Sequence, residues 1–323
     1  MLQFRIVVGF AAIILVSCIP AFGQGWKLHS TEIEGDLVTI YFTSATKGFV
    51  AGDNGYLAST GDGGKTWQKY PLNTTENINE IYFRNDNNGY LVAGRKLFIT
   101  SDGGSSWRET VIFRAANFKD GIPEFLSIRF ADKKLGLAIG SVLNRKGDAV
   151  LDSLVMRTDD GGETWRRIIV PSRTELFHLD FNGSSHGWIV GDKGLVLHTT
   201  NGGISWETQK SGVVRALFNV DFRDDDFGFA VGGGGTILRT EDGGRNWEKI
   251  NTQFPETFKR VDFADDKNGW IVGHKGAILR SSDRGRTWIK QQSTTSQDLY
   301  GLYMVKKYGW AVGAGGTIIE HQK

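Results

Sequence analysis

The sequence predicts an all-β protein, a seven-bladed β-propeller in which each blade is a sheet of four antiparallel strands. Three observations predict this fold. The 323 residues include 43 glycines and 10 tryptophans but only 5 prolines, which is typical of short strands joined by tight turns. A motif of the form Thr-x-Asp-Gly-Gly-x-x-Trp recurs, mostly at intervals of 41 residues. Repeats of about 40–45 residues with several short strands are typical of propeller blades.

Each repeat carries signals for four strands in a fixed order. In the fifth repeat the triplet Val220–Phe222 predicts the innermost strand, and Gly228–Gly232 predicts the second strand. A glycine-rich hairpin leads to the third strand, Thr236–Thr240, and the motif leads to a fourth strand that starts near Trp247. Seven such triplets and seven strands that open with glycine predict seven blades.

The residues of the recurring motif have structural roles. Its aspartate can accept N–H groups across the turn, its glycines can take positive φ, and its tryptophan can pack between neighbouring sheets. A catalytic acid would not be copied six times. The acidic or amide positions are Asp62, Asp102, Asp160, Asn201, Asp242 and Asp283, and the tryptophans are Trp26, Trp67, Trp107, Trp165, Trp206, Trp247 and Trp288.

The two ends of the chain predict how the ring closes. The last repeat stops after its third strand, Thr317–Glu320, without a motif or a tryptophan. Trp26 lies 14 residues before Ile40, at the position of a fourth strand that has no blade before it. We therefore expect the strand around Trp26 to pair with the C-terminal blade, which removes two exposed sheet edges. Residues 24–323 are predicted to form one domain.

The N-terminus predicts export. Arg5 precedes the apolar stretch Ile6–Val16, whose 11 residues suit a signal peptide and are too few to span a bilayer. Cleavage after Gly23 would remove residues 1–23 and release a periplasmic or extracellular protein. The alternative is a lipobox, Leu15–Cys18, in which an acylated Cys18 would anchor a lipoprotein and provide its only membrane attachment.

The third repeat is longer than the others. It contains seven extra residues within Phe113–Phe125 and ten more around Ser141–Ser153. The loop into a blade and its second hairpin open on the same face of a propeller, so both insertions are expected to rise together beside the channel. They are either a specialised surface, since loops on rigid scaffolds carry function, or tolerated variation.

Three aspartates occupy the middle of the innermost strand in consecutive repeats. A cluster of Asp180, Asp221 and Asp262 near the axis could have the raised pKa values that suit acid–base catalysis. The structural alternative is that each aspartate bonds to the next blade. Around the ring this position reads Tyr41, Tyr82, Arg129, Asp180, Asp221, Asp262 and Tyr303.

Basic residues collect on the face formed by the blade-connecting loops and the second hairpins. Such a sector could dock an acidic or membrane-apposed protein partner, and the alternative is an ordinary solvated rim. The candidate residues for partner binding are Arg145, Lys146, Arg173, Lys193, Arg215, Lys259, Arg260 and Lys275.

The composition and the residue spacing argue against several other classes of function. The net charge of +2 gives no reason to expect a nucleic acid partner. The six histidines lack metal-ligand spacing, and no phosphate-binding loop or nucleophile elbow is present. We expect no metal, no cofactor and a monomer.

Two resemblances follow from these motifs. The turn resembles the Asp-box, or BNR repeat, of glycoside hydrolases such as sialidases and xyloglucanases. The full repeat, as in Val220–Phe222, Gly228–Gly232 and Thr236–Gly244, more closely resembles the photosystem II stability/assembly factor family. That resemblance covers about residues 26–323 and implies a seven-bladed propeller that is secreted or lumenal. Members in photosynthetic cells resemble assembly chaperones that bind a membrane subunit through a basic patch.

This resemblance implies a non-catalytic exported scaffold that binds a protein and aids the assembly of an envelope or membrane complex. The alternatives are an Asp-box glycoside hydrolase, for which the inner aspartates would be the catalytic residues, and a propeller that binds carbohydrate without turnover. The Arg-Ile-Pro stretch that sialidases carry is absent, because Gly121–Pro123 does not match it.

Overall fold

The computed structural model describes residues 25–322, and these form seven four-stranded antiparallel sheets arranged as a closed ring. The predicted seven-bladed propeller is therefore confirmed. The predicted signal peptide, residues 1–23, and Cys18 lie outside the described residues. Within the part of the chain that is described, no helix is long and apolar enough to cross a membrane.

The strands of each blade follow the chain from the axis outwards. Blade 1 holds β2 (Leu37–Phe42), β3 (Gly48–Gly52), β4 (Leu57–Thr60) and β5 (Gln68–Tyr70). Blade 2 holds β6 (Ile78–Phe83), β7 (Gly89–Ala93), β8 (Lys96–Thr100) and β9 (Arg108–Thr110). Blade 3 holds β10 (Ile122–Phe130), β11 (Gly136–Leu143), β12 (Val150–Thr158) and β13 (Arg166–Arg167). Blade 4 holds β14 (Leu176–Asn182), β15 (His186–Gly191), β16 (Val196–Thr199) and β17 (Glu207–Gln209).

The remaining blades repeat this order, and the last blade takes its outer strand from the N-terminal end. Blade 5 holds β18 (Leu217–Phe222), β19 (Phe227–Gly232), β20 (Thr236–Glu241) and β21 (Glu248–Lys249). Blade 6 holds β22 (Phe258–Phe263), β23 (Gly269–Gly273), β24 (Ile278–Ser281) and β25 (Ile289–Lys290). Blade 7 holds β26 (Leu299–Met304), β27 (Gly309–Gly313), β28 (Ile318–Gln322) and β1 (Gly25–His29). Short 3-10 turns cover Asp53–Gly55, Ala115–Phe118, Asp192–Gly194, His274–Gly276 and Ala314–Gly316.

The ring closes as the sequence predicts. Strand β1 pairs antiparallel with β28 along its whole length, from Gly25 opposite Gln322 to His29 opposite Ile318. Trp26 is buried in this blade, and its indole N–H donates to Gln291 Oε1 of blade 6 at 3.1 Å. The closing strand is therefore held by a ladder within its sheet and by a side-chain contact to the preceding blade.

The two faces of the ring differ in the connections that they carry. One face carries the loops that lead into each blade and the hairpins between second and third strands, and we call it the front face. The opposite face carries the hairpins between first and second strands and the aspartate turns between third and fourth strands, and we call it the turn face. Strand β1 is a fourth strand, so Gly25 lies on the turn face.

The aspartate turns are held by a compact hydrogen-bond set. In blade 1 the Thr60 hydroxyl donates to Asp62 Oδ1 at 2.8 Å and accepts the Gly64 N–H at 2.9 Å. Asp62 also accepts the Thr66 N–H at 3.0 Å and the Thr66 hydroxyl at 2.6 Å. In blade 4, Asn201 accepts the same kinds of bonds through Oδ1. The side-chain oxygens of Asp62 and Asn201 are therefore engaged in hydrogen bonds within their own turns.

Two of the motif tryptophans, Trp107 and Trp288, pack edge-on against phenylalanines of two blades. Trp288 lies 5.9 Å from the Phe263 ring of its own blade and 6.1 Å from the Phe229 ring of the preceding blade. A glycine at the start of each second strand makes room for a phenylalanine ring in blades 1–6 and for Met304 in blade 7. A Cβ on Gly228 would lie 2.6 Å from the Phe222 ring, so only glycine fits there.

We expect Trp26→Ala to lower the free energy of unfolding by about 3–5 kcal/mol, because it leaves a cavity at the closing strand. Leu28 lies on the same strand but is 47% exposed, so Leu28→Ala should change that free energy by less than about 1 kcal/mol. Urea denaturation of the two variants measures both effects. Equal effects would show that burial of the closing strand is not what stabilises the ring.

Candidate functional site

The innermost strands surround an axial channel, and equivalent positions on them form rings of side chains. All members of the ring predicted from the sequence line one cavity of about 190 Å³. We call them the axial ring, namely Tyr41, Tyr82, Arg129, Asp180, Asp221, Asp262 and Tyr303. Two residues earlier on each strand lies a second ring, namely Thr39, Glu80, Ser127, His178, Asn219, Arg260 and Gly301.

A buried ionic cluster spans the channel. Glu80 of blade 2 is 1% exposed and accepts Arg129 of blade 3 at 2.8 Å and Arg260 of blade 6 at 3.2 Å, both through Oε1. Its other oxygen accepts the Ser127 hydroxyl at 2.6 Å. His178 of blade 4 lies 2.9 Å from Arg129 Nη2. Four blades are thus joined across the axis, which fixes their relative positions at the centre.

The charges of this cluster follow from its burial and its partners. Burial opposes ionisation of Glu80, but the Arg129 guanidinium and the hydrogen bond to His178 outweigh it and hold the pKa of Glu80 well below its usual range. Burial, followed by the charge of Arg260, lowers the pKa of His178 to about 3. At neutral pH the cluster therefore combines one anion, two cations and a neutral imidazole.

Two of the three inner aspartates bond to the next blade. Asp180 Oδ2 accepts the Phe222 N–H at 2.8 Å, and Asp262 Oδ2 accepts the Met304 N–H at 2.7 Å. Asp221 differs, because its Oδ2 atom is buried and has no hydrogen-bond partner among the described residues. Burial, then the charge of Asp221, raises the pKa of Asp180 and of Asp262 to about 7. Burial also raises the pKa of Asp221.

Two of the three tyrosines of the axial ring also bond to the next blade. The Tyr41 hydroxyl donates to the Phe83 carbonyl at 2.8 Å, and the Tyr82 hydroxyl donates to the Phe130 carbonyl at 3.1 Å. In each case the acceptor belongs to the following blade. The axial ring therefore serves mainly to tie neighbouring blades together, and this use competes with acid–base chemistry for the same polar atoms.

The predicted basic residues do not form one patch. Lys259 is half-buried with its ammonium 3.8 Å from the centre of the Phe218 ring, and Arg260 is held in the channel by Glu80. Arg145 and Lys146 lie at the tip of the long hairpin of blade 3, apart from the others. The members that are exposed on the front face of blades 4–6 are Arg173, Lys193, Arg215 and Lys275.

The two insertions of the third repeat contact each other. Strands β11 and β12 stay paired out to Leu143 and Val150, which lengthens the hairpin on the front face. The Arg145 guanidinium at its tip donates to the Lys119 carbonyl of the other insertion at 2.7 Å. The insertions therefore form one raised element at blade 3.

Sequence reasoning missed Glu80 and its histidine partner. The sequence shows only that the six histidines lack metal-ligand spacing, and the structure places His178 in the central cluster, where it is buried. The sequence does contain a signal for Glu80 and His178, because each stands two positions before a residue of the axial ring. Among residues 25–322, no group of three or more His, Cys, Asp or Glu side chains is placed to hold a metal ion.

Comparison with known proteins identifies the family. The sequence model described as photosynthesis system II assembly factor YCF48 matches residues 21–80, 67–170, 123–211, 204–297 and 245–322, which together span almost the whole chain. The chain belongs to the YCF48 family.

Relatives of this family share its fold at low sequence identity. The photosystem II assembly lipoprotein Ycf48 of Synechococcus sp. (strain CC9902) is 26% identical over 192 residues, which are 58% of this chain and 53% of that protein. The match thus spans about half of the curated relative. The structure of YCF48 bound to D1 peptide is 20% identical, with a TM-score of 0.75 over 94% of this chain and 96% of that one. YCF48 from Cyanidioschyzon merolae is 17% identical, with a TM-score of 0.73 over 92% and 98%.

We expect Glu80→Gln to lower the free energy of unfolding by about 3–5 kcal/mol, because it leaves the partly buried guanidinium groups of Arg129 and Arg260 without their anion. The matched control is Glu76→Gln, which removes a surface pair with Arg95 at 3.5 Å and should cost about 0–1 kcal/mol. Chemical denaturation measures both. A small effect at Glu80 would mean that the central cluster does not hold the blades.

We expect stability to fall as the pH rises from about 4 to about 7, in part because of the inner aspartates. The pKa values of Asp180 and Asp262 are raised to about 7 in the fold, so the folded protein binds more protons than the unfolded chain in this window. Asp262→Asn removes one such carboxyl, and its unfolding free energy should fall less steeply with pH. His178 acts in the opposite direction in both proteins, so the difference isolates the aspartate. Parallel profiles would contradict the assignment.

Proposed function

We propose that this chain is a non-catalytic propeller scaffold that binds an acidic segment of a protein partner on the front face of blades 4–6. The observation that carries the proposal is the conformation of two exposed lysines. Lys193 and Lys275 stand at hairpin tips with φ of +57°, where a lysine costs roughly 1–2 kcal/mol. Blade 1 has Asn54 at this position and blade 7 has Gly315. Strain that is retained at exposed cationic side chains is typical of a binding site.

Neighbouring residues add to this positive surface. Arg173 and Arg215 are exposed on the same face, and Arg215 lies over the glycine hairpin of blade 5, where a Cβ on Gly234 would meet its Nε at 2.9 Å. One acid of the sector is less available to balance these charges, because Glu256 lies 3.6 Å from Lys290.

The relatives support a protein partner. One solved YCF48 structure holds a D1 peptide, and the curated relative is a photosystem II assembly lipoprotein. By analogy, we propose that this chain aids the assembly of an envelope or membrane complex by holding a segment of one subunit. The glycoside hydrolase and carbohydrate-binding alternatives rest on the resemblance of the turn motif. The aspartates that hydrolysis would use are already engaged in part, because Asp180 and Asp262 each accept a main-chain N–H of the next blade.

We also propose that the chain is exported. An apolar N-terminal segment supports export, and the lipoprotein relative supports acylation at Cys18 rather than cleavage after Gly23. Mass spectrometry of the mature chain distinguishes a lipid-bearing cysteine from a soluble N-terminus.

Selection from a random linear peptide library against the folded chain tests the proposed surface. We expect acidic peptides to be enriched, and the double variant Lys193→Asn/Lys275→Asn to bind a selected peptide about fivefold more weakly, since two exposed ion pairs are lost. Asparagine is chosen because it tolerates positive φ, so the variant should keep its stability.

The matched control is Lys306→Gln/Lys307→Gln, which removes two exposed lysines from the turn face. It changes the net charge equally and should leave peptide affinity unchanged at moderate salt. Equal loss in both variants would reduce the effect to net charge. Enrichment of peptides without acidic residues would overturn the proposed partner chemistry.

A further inference from the structure

Every innermost strand contains a β-bulge, which lies near the start of the strand in all blades except blade 3, where it lies in the middle. In blade 5, Leu217 pairs with Gly232 and Asn219 pairs with Val231, so Phe218 is the extra residue that has no partner in the ladder. The same irregularity occurs in all seven blades. We call the seven extra residues the collar, namely Val38, Asn79, Leu126, Phe177, Phe218, Lys259 and Tyr300.

The collar residues differ from their neighbours in burial and in chemistry. The residue before each bulge is apolar and fully buried in every blade, as Leu217 is in blade 5. The collar residues are partly exposed, and they range from amide to aromatic to cation. A bulge can re-aim a side chain out of a regular ladder. Here it presents seven variable side chains at the front-face mouth of the channel without disturbing the core beneath.

One side of the collar is aromatic and basic. The rings of Phe177 and Phe218 lie 5.1 Å apart at an angle of 48°, and the Lys259 ammonium lies 3.8 Å from the centre of the Phe218 ring. These residues belong to blades 4, 5 and 6, which also carry the strained lysines Lys193 and Lys275. The next residue on two of these strands, His178 or Arg260, belongs to the buried cluster around Glu80. The buried cluster therefore lies next to the collar along the channel, on the side of the turn face.

We propose that Phe177, Phe218 and Lys259 form a socket for one aromatic or aliphatic side chain of the acidic partner segment. This inference rests on the proposed function and adds the source of its specificity. Charge complementarity brings an acidic segment to this sector, but exposed ion pairs contribute little affinity. Partly exposed aromatic rings at the centre of a surface are the usual anchors of protein interfaces. The Lys259 ammonium is placed to pair with a carboxylate beside the inserted side chain.

Two synthetic peptides test the socket. Both consist of Glu, Gly and Ser residues, and one has a central Phe where the other has Ser. We expect the Phe peptide to bind the wild-type chain about tenfold more tightly in fluorescence anisotropy at low salt, because an aromatic side chain is buried. In Phe218→Ser this advantage should disappear, while the affinity for the Ser peptide stays the same.

The control variant is Val214→Ser, which changes an apolar front-face residue that is 86% exposed and lies outside the collar. It should keep the tenfold preference. The comparison of the two peptides on the wild-type chain needs no variant, so it remains decisive even if Phe218→Ser folds poorly.

The results of these binding measurements distinguish failure of the socket from failure of the acidic-segment proposal. Equal affinity for the two peptides on the wild-type chain overturns the socket and leaves the proposed acidic partner intact. No binding of either peptide overturns the acidic-segment proposal itself. Loss of both peptides in a folded Phe218→Ser variant, or loss of the preference in Val214→Ser, also rejects the socket.

Discussion

Closure of the ring by the pairing of β1 with β28 is the constraint on which the rest of the structure depends. Neighbouring blades could stack without it, but opposite blades could not be held at fixed distances. Glu80 and Arg260 are 180 residues apart and meet only because the circle is complete. The axial cavity, the buried cluster and the collar are consequences of that closure. Asp180 and Asp262 also tie neighbouring blades together, because each accepts a main-chain N–H of the next blade.

The repeat pattern was sufficient to predict the architecture. Steric requirements recur in every blade, so the residues that satisfy them recur in the sequence: glycine where a ring lies against the backbone, as at Gly228, and tryptophan where two sheets meet, as at Trp288. The unmatched Trp26 predicted the closing strand. Alignment of the triplets also predicted that Asp180, Asp221 and Asp262 lie on one ring, although it could not show that Asp221 lacks the bond that the other two make.

The central cluster and the collar could not be predicted from that pattern. Glu80 and His178 occupy a position whose residue type differs from blade to blade, and their partners are set by closure rather than by spacing along the chain. The collar depends on bulges, which shift one residue out of strict alternation. Regular alternation would pair Phe218 within its sheet, whereas the bulge leaves it beside Phe177 and Lys259. The functional candidates thus lie where the seven repeats agree in backbone and differ in side chain.

The position of Gly25 determines that a lipid anchor would extend from the turn face. If Cys18 carries the acyl chains, the seven peptide units that separate it from Gly25 reach at most about 25 Å. The tether would then leave from the turn face, with its short and uniform aspartate turns. The collar and the strained lysines lie on the opposite face, so the tether would not cover them. An anchored propeller of this kind would hold its cargo on the face opposite its point of attachment.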